Sequence, residues 1–129
     1  MAENTKELVV DASFVLSYLL PDEKSGRADK VFARYAAGEI SLISCPLLPF
    51  EVLNGLRSAI IKKRLDSETA EKLAEAFLLL DISVKPVDYF ACWCLSLDKH
   101  LSLYDASYLL LARQNKVKLL TTDSNLESV

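Results

Sequence analysis

Apolar positions follow two rhythms along this chain, short unbroken runs and three- or four-residue spacings, and together they predict strands separated by helices. Glu7 to Asp11 (ELVVD) reads as a first strand that ends on an acid. From Ser13 to Leu20 the spacing is helical, and Pro21, which has no amide for the helical ladder, stops it. A second helix is expected over Gly26 to Ala37, with Phe32 and Tyr35 inward and Gly38 as its stop. Ile40 to Ser44 (ISLIS) is the second strand. The longest helix starts near Pro46 to Pro49 and runs to about Arg64, with Leu53, Leu56, Ile60 and Ile61 as its apolar stripe. Asp66 caps the next, which has Glu68 in its first turn and reaches about Leu80. Ile82 to Val87 is a third strand that Pro86 helps to end, and Val117 to Thr121 a fourth. Between them lie helices over Tyr89 to Leu97 and Leu103 to Asn115.

Short strands alternating with helices describe an α/β domain with a parallel sheet. No repeat, low-complexity tract or linker interrupts the pattern, so one unit is expected over residues 1–129. Ser124 and Glu127 open a further helix with a capping box just before Val129.

Composition adds limits to this picture. A unit of 129 residues buries roughly two-thirds of its unfolded surface and needs no disulfide or zinc staple. The apolar share of 51% and mean hydropathy of +0.19 point to a well-filled core, an oligomer interface, or both. No stretch is long and apolar enough for a bilayer, and Met1 to Glu7 lacks the apolar run of a signal peptide. Cys45, Cys92 and Cys94 are an odd, sparse set, read as free thiols in a reducing cytoplasm. Cys92 and Cys94 sit two apart on a helix and point to different sides, and His100 is the sole histidine, so no zinc site is expected.

The net charge of −3 and pI of 5.2 argue against a plain nucleic-acid coat protein. Acids gathered to hold a metal would themselves add to that negative count. Lys24, Arg27, Lys30 and Arg34 share one segment, and Lys62, Lys63 and Arg64 another. Each reads first as a solvated helix face, with a phosphate-facing patch as the alternative.

Four acids carry the candidate chemistry. Asp11 ends the first strand and Asp123 follows the fourth, which places both at the carboxyl edge of a parallel sheet, where ligands bind. Each could also simply cap the helix that follows it. Asp105 lies on a stripe with Leu109 and Ala112, beside Tyr108, and a carboxylate there must be paired, neutralised or metal-bound. The other reading of Asp105 is a capping box with Ser102. Glu51 sits in PFEVLNGL near a helix start, where the helix dipole alone would favour it. Carboxylates crowded at one edge repel one another unless a cation holds them, and oxygen-only ligands select Mg²⁺ or Mn²⁺. Such an ion suits phosphodiester hydrolysis without a Ser, Cys or His nucleophile.

In order and type, VVDASFVLSYLL, PFEVLN, LSLYDASYLLLA and LLTTD resemble the motifs of the PIN-domain family, and most of all its small VapC-type toxins. The resemblance runs from Leu8 to Leu126, with LYDASYLLLA followed by LLTTD as its most specific part. It implies a three-layer α/β/α fold around a mostly parallel sheet of about four strands, and a Mg²⁺- or Mn²⁺-dependent endoribonuclease. By motif position, Asp11, Glu51, Asp105 and Asp123 would form the catalytic and metal-binding acids, with Asp11 and Asp105 the most direct ligands. Thr121 matches a supporting hydroxyl, and Ser13 and Asn54 match nearby polar positions. The family further implies an RNA substrate, a homodimer and a small antitoxin that occludes the site. One departure is that the helix and edge strand usual after the last acid are expected to be missing.

Other readings fit less well. A haloacid-dehalogenase-like phosphatase wants a second Asp where Ser13 stands, and a response-regulator receiver wants paired acids near the first strand and a Lys where Thr121 stands. A PIN-like module that binds RNA or protein without cutting remains the alternative from another class. His100 lies in a loop-like DKHLS segment without an orienting partner, so a bystander role is expected. Trp93, with Tyr89 and Leu97 at four-residue spacing, reads as core or interface rather than a base-stacking platform.

Overall fold

A computed structural model describes residues 5–127; the outermost positions of the expected unit, 1–4 and 128–129, lie outside the described residues. Strands β1 (Lys6–Val10), β2 (Ile40–Ser44), β3 (Ser83–Val84) and β4 (Leu119–Leu120) pair in parallel in the order β3-β2-β1-β4. Val9 aligns with Ile43 on one side and Leu119 on the other, and Val10 aligns with Leu120. Helices α1 (Ala12–Leu19), α2 (Gly26–Ala36), α3 (Leu48–Ile61), α4 (Ser67–Leu79), α5 (Tyr89–Lys99), α6 (Leu103–Asn115) and α7 (Ser124–Glu127) connect and cover the strands.

Leu8, Val9 and Val10 are all buried, so both faces of β1 are covered. Because side chains alternate across a strand, such a continuous apolar run belongs to a sheet between two helical layers. Helix α2 packs on β2, α6 packs on β1 and β4, and α5 lies against α6. The result is the three-layer α/β/α fold. No helix among the described residues is long and apolar enough to cross a membrane.

The outer strands are shorter than the apolar runs suggested. β3 covers two residues of Ile82 to Val87, because Pro86 offers no amide and the strand has a single neighbour. β4 covers two residues of Val117 to Thr121. Its approach is taken up by the end of α6, where Lys116 turns into the left-handed region (φ 56°) and the Val117 amide returns to the Ala112 carbonyl.

The α3 stripe is also rotated from expectation. Leu48, Val52, Leu56 and Ala59 are buried, whereas Ile60 and Ile61 face outward, about 100° and 200° further round the helix than Ala59. Gly55 sets the approach of α1 to α3: a Cβ built there would lie 2.5 Å from Leu16 Cδ1. Ser25, Asp66, Asp88 and Ser102 each accept an amide from the first turn of the helix they precede.

Candidate active site at the carboxyl edge

β1 is where the sheet changes direction, since β2 lies on one side of it and β4 on the other. In an open parallel sheet the crevice outside the strand ends is deepest at such a switch. Asp11 follows Val10 and Thr121 follows Leu120, and these two strand ends are paired. The Asp11 amide donates to the Leu120 carbonyl at 3.2 Å.

Asp11 is both a cap and a group at that edge. Its Oδ1 accepts the Phe14 amide at 2.9 Å, as an N-cap should, and the Ser13 hydroxyl at 2.7 Å. Ser13 Oγ also lies 3.2 Å from Thr121 Oγ1 and accepts the Thr122 amide at 3.0 Å. Thr121 Oγ1 accepts the Asp123 amide at 3.1 Å. A chain of hydroxyls thus ties the end of β1 to the end of β4 and sets Asp11 against Asp123. Asp123 Oδ1 accepts the Asn125 and Leu126 amides, so Asp123 caps α7, the capping reading of this acid, in place of the capping box expected from Ser124. The part of that expected capping box resting on the Glu127 side chain lies outside the described residues.

Glu51 and Asp105 stand in the first turns of α3 and α6, where the positive end of the helix dipole faces them. Asp105 shows both features weighed from its sequence. Its amide donates to Ser102 Oγ at 3.0 Å, and Leu109 and Ala112 below it are buried. Glu51 Oε1 accepts the phenol of Tyr108 at 2.5 Å. That contact was not foreseen, although a signal existed: Tyr108 lies one turn from Asp105 on an apolar stripe, and a buried tyrosine needs a partner for its hydroxyl.

The four acids share one electrostatic field. Burial raises the Asp11 carboxyl, Thr121, Ser13 and the Phe14 amide pull it back, and the Asp123 charge raises it again. Burial raises Glu51, Tyr108 lowers it, and the charges of Asp105 and Asp11 raise it. Burial raises Asp105, as do Asp123 and Asp11, against the Ser102 contact. The groups that lower these carboxyls are hydroxyls and one amide, with no ammonium or guanidinium among them. Among the described residues, hydroxyls and an amide rather than cations therefore offset the negative charge at Asp11, Glu51 and Asp105.

Among the described residues, no three Asp, Glu, His or Cys side chains stand close enough to enclose an ion as placed. What suits a hard divalent ion is the donor chemistry, all carboxylate oxygen, and the shared repulsion that a cation would relieve. Asp11 and one oxygen of Asp123 are held by hydrogen bonds, while Asp105 is half-buried and Asp123 exposed.

Asn54 is exposed one turn beyond Glu51, and with Glu51, Arg57 and Tyr104 it lines a groove of about 540 Å³. His100 ends α5 in the left-handed region and is exposed. Trp93 is not core: it is about half exposed and stacks on Phe90 with ring centres 5.8 Å apart. The basic segments are partly consumed within the chain. Lys24 pairs with Asp29 at 3.2 Å, Arg34 with Glu39 at 3.3 Å, and Arg64 with Asp22 at 2.7 Å and Glu23 at 2.6 Å. Cys45 and Cys92 are buried and Cys94 is exposed, all as free thiols.

Fold and site together define a parallel α/β domain that collects carboxylates at its switch point. The chain belongs to the PIN-domain family, whose model matches residues 8–129. It is similar to Ribonuclease VapC3 of Pyrobaculum aerophilum, with 31% identity over 124 residues, covering 93% of this chain and 92% of that protein. Among solved structures, PAE2754 from Pyrobaculum aerophilum matches 94% of this chain and 77% of its own, with a TM-score of 0.73 and 22% identity. VapC20 of Mycobacterium tuberculosis, described as a Sarcin-Ricin loop cleaving toxin, matches 94% of this chain and 93% of its own, with a TM-score of 0.61 and 17% identity. At those identities the two structures speak for the fold.

Proposed function

We propose that this chain is a Mg²⁺- or Mn²⁺-dependent endoribonuclease and the toxin of a toxin–antitoxin pair. The observation that carries this reading is the placement of Asp11 and Asp123 at one sheet edge, tied through the Ser13 and Thr121 hydroxyls, with Glu51 and Asp105 in the first turns of α3 and α6. The similarity to Ribonuclease VapC3 over most of both chains supports the ribonuclease part. The toxin part rests on the VapC-like motifs, with a small antitoxin as the partner.

Asp11 and Asp105 would be the most direct ligands of the ion, with Glu51 and Asp123 completing the oxygen set. An ion held there lowers the pKa of water and offsets charge on a phosphodiester. The chain's own part is positioning. Ser13 and the Phe14 amide hold Asp11 in one rotamer, and Thr121 sets the turn that carries Asp123. Tyr108 fixes one oxygen of Glu51 and leaves the other to accept a proton or orient a water. A carboxylate whose proton affinity is raised is a better base near neutral pH than an ordinary one.

A homodimer belongs to the same proposal. Phe90, Trp93 and Leu97 fall at three- and four-residue spacing on α5 and are exposed, a stripe suited to a second copy.

The test is cleavage of a labelled RNA by the purified chain with Mg²⁺, Mn²⁺ or EDTA, with Asp11→Asn beside it. Metal-dependent cleavage that Asp11→Asn removes is expected. Cleavage in EDTA, or by the variant at full rate, would overturn the mechanism. RNA binding without any cleavage would favour the non-catalytic module instead.

A further inference from the structure

Beside the acids lies a second feature that the proposed chemistry does not use. Phe50 immediately precedes Glu51 on α3, and Tyr104 immediately precedes Asp105 on α6. Both rings are exposed, Phe50 at 78% and Tyr104 at 58%, although burying an aromatic ring is ordinarily favourable. Neighbouring helix residues point about 100° apart, so each ring sits beside its acid rather than behind it. The two helices bring the rings to one place. Phe50, Tyr104 and Leu47 line both the groove that contains Glu51 and an adjoining cavity of about 400 Å³. That cavity is floored by Cys45, Cys92 and Ser107 and flanked by exposed Tyr89. Its size falls within the range of small-molecule sites, and its walls are mostly apolar.

Along α3 the pattern continues. Phe50, Asn54 and Arg57 fall at i, i+4 and i+7, one stripe about 10 Å long that borders the Glu51 groove. The stripe offers a ring, then an amide, then a guanidinium. Lys24, Arg34 and Arg64 are spent on carboxylates, whereas no ion pair of Arg57 is seen among the described residues. A ring for a base face, an amide for a base edge and a cation for a phosphate are the components of a single-strand track.

We infer that Phe50 and Tyr104 form a stacking site for an unpaired nucleobase next to the cut phosphate, and that Asn54 and Arg57 carry the strand onward along α3. The inference rests on the ribonuclease reading and adds which residues of this chain receive a base beside the cut and which carry the strand away from it. The aromatic cavity opens into the carboxylate groove through shared residues, so a strand with its phosphate at the acids places an adjacent base over those rings. The cation at the far end supplies the charge that a polyanion needs and that the acids withhold.

The experiment measures cleavage kinetics and equilibrium binding of the full chain on a fluorescein-labelled single-stranded RNA and on its duplex. The variants are Phe50→Ala, Phe50→Trp, Tyr104→Ala, Tyr104→Phe and Arg57→Ala, with melting and size-exclusion light scattering run on each. For single strands, each alanine variant at Phe50 or Tyr104 should weaken binding and raise KM about 5- to 100-fold with little change in kcat. Phe50→Trp and Tyr104→Phe should restore both. Arg57→Ala should lessen the salt dependence of binding, and the duplex should bind weakly and respond little to any variant. Wild-type KM in both alanine variants, or tighter binding of the duplex, overturns the inference while leaving the ribonuclease reading intact. Variants that change the oligomeric state but not KM overturn it too, assigning the groove to a protein surface. If the wild-type chain cuts no RNA, the ribonuclease reading fails, and ring-dependent binding of single strands then decides the stacking site by itself.

Discussion

The phenol of Tyr108, itself 1% exposed, donates to Glu51 Oε1 at 2.5 Å and ties α6 to α3. The bond spans 57 positions of sequence and joins a core residue to a site residue. Burial and the Glu51 charge hold the phenol well above its ordinary range, so it stays a donor at any working pH. In return its hydrogen bond lowers the Glu51 carboxyl, which burial and the neighbouring acids raise.

Tyr108→Phe removes that lowering influence while keeping the ring in the core. The acid limb of the pH–rate profile for RNA cleavage should therefore move to higher pH, because Glu51 then protonates more readily. Hydrogen bonds to charged groups contribute about 1.5–3 kcal/mol, and partial exposure of Glu51 discounts this to roughly 1 kcal/mol. Urea denaturation checks the stability, and an unmoved acid limb would remove Tyr108 from the positioning set.

Asp11→Asn should abolish cleavage, by at least about 100-fold, while leaving the fold intact. Asparagine caps a helix about as well as aspartate and brings no charge into a buried site. The variant should melt no lower than the wild type at pH 7.5 without divalent ions. A large drop in Tm would show that the charge of Asp11 has a structural role instead.

The pH dependence of stability has a definite sign. Asp11, Glu51 and Asp105 have folded-state carboxyls raised above their ordinary range. Each therefore contributes stability that is present below the unfolded pKa, about 4, and lost as pH rises through the raised value. Exposed Asp22, held down by Arg64, and exposed Asp66, held down by the Thr69 amide, act in the opposite sense, losing their contribution as pH falls. Without divalent ions Tm should fall from mildly acid to neutral pH, and Mg²⁺ should restore it more at pH 7.5 than at pH 5. At ten times its dissociation constant the ion adds about 1.4 kcal/mol, roughly 5 °C at this chain length. Equal Mg²⁺ shifts at the two pH values would separate the ion from these acids.

Substitution at Gly55 should depend on size. Ala gains about 1 kcal/mol of helix propensity, against a contact with Leu16 Cδ1, the movable end of a flexible side chain. Gly55→Ala should thus lie within about 1 kcal/mol of the wild type. Gly55→Leu should lose roughly 1–3 kcal/mol by forcing α1 from α3. Denaturation midpoints of the two variants provide the check.

Thiol labelling should distinguish the three cysteines. Cys94 is exposed, whereas burial raises the Cys45 and Cys92 thiols and covers them. Brief treatment with iodoacetamide should add one label to the native chain and three in urea, read by intact mass. Rapid labelling of Cys45 or Cys92 would mean that the cavity they floor opens readily.

Local pattern was enough to read the order of elements, and for a physical reason. Burial on both faces writes β1 as a continuous apolar run and leaves β2 short and apolar-rich, and helix spacing with caps such as Asp66 and Ser102 marks α4 and α6. Asp105 could be singled out because a carboxylate on an apolar stripe conflicts with its surroundings, and the motifs around Asp11, Glu51 and Asp123 carried the family. Strand length was not legible at the edges. The limits of β3 and β4 depend on which neighbours remain to pair with, and that is settled only when the sheet assembles. The outward turn of Ile60 and Ile61 likewise follows from where α1 and α4 press on α3. Tertiary structure alone brought Tyr108 to Glu51, joined Ser13 to Thr121 across 108 positions, and set Phe50 beside Tyr104. Those pairs lie far apart in sequence, and no periodicity records a contact made by packing one helix against another.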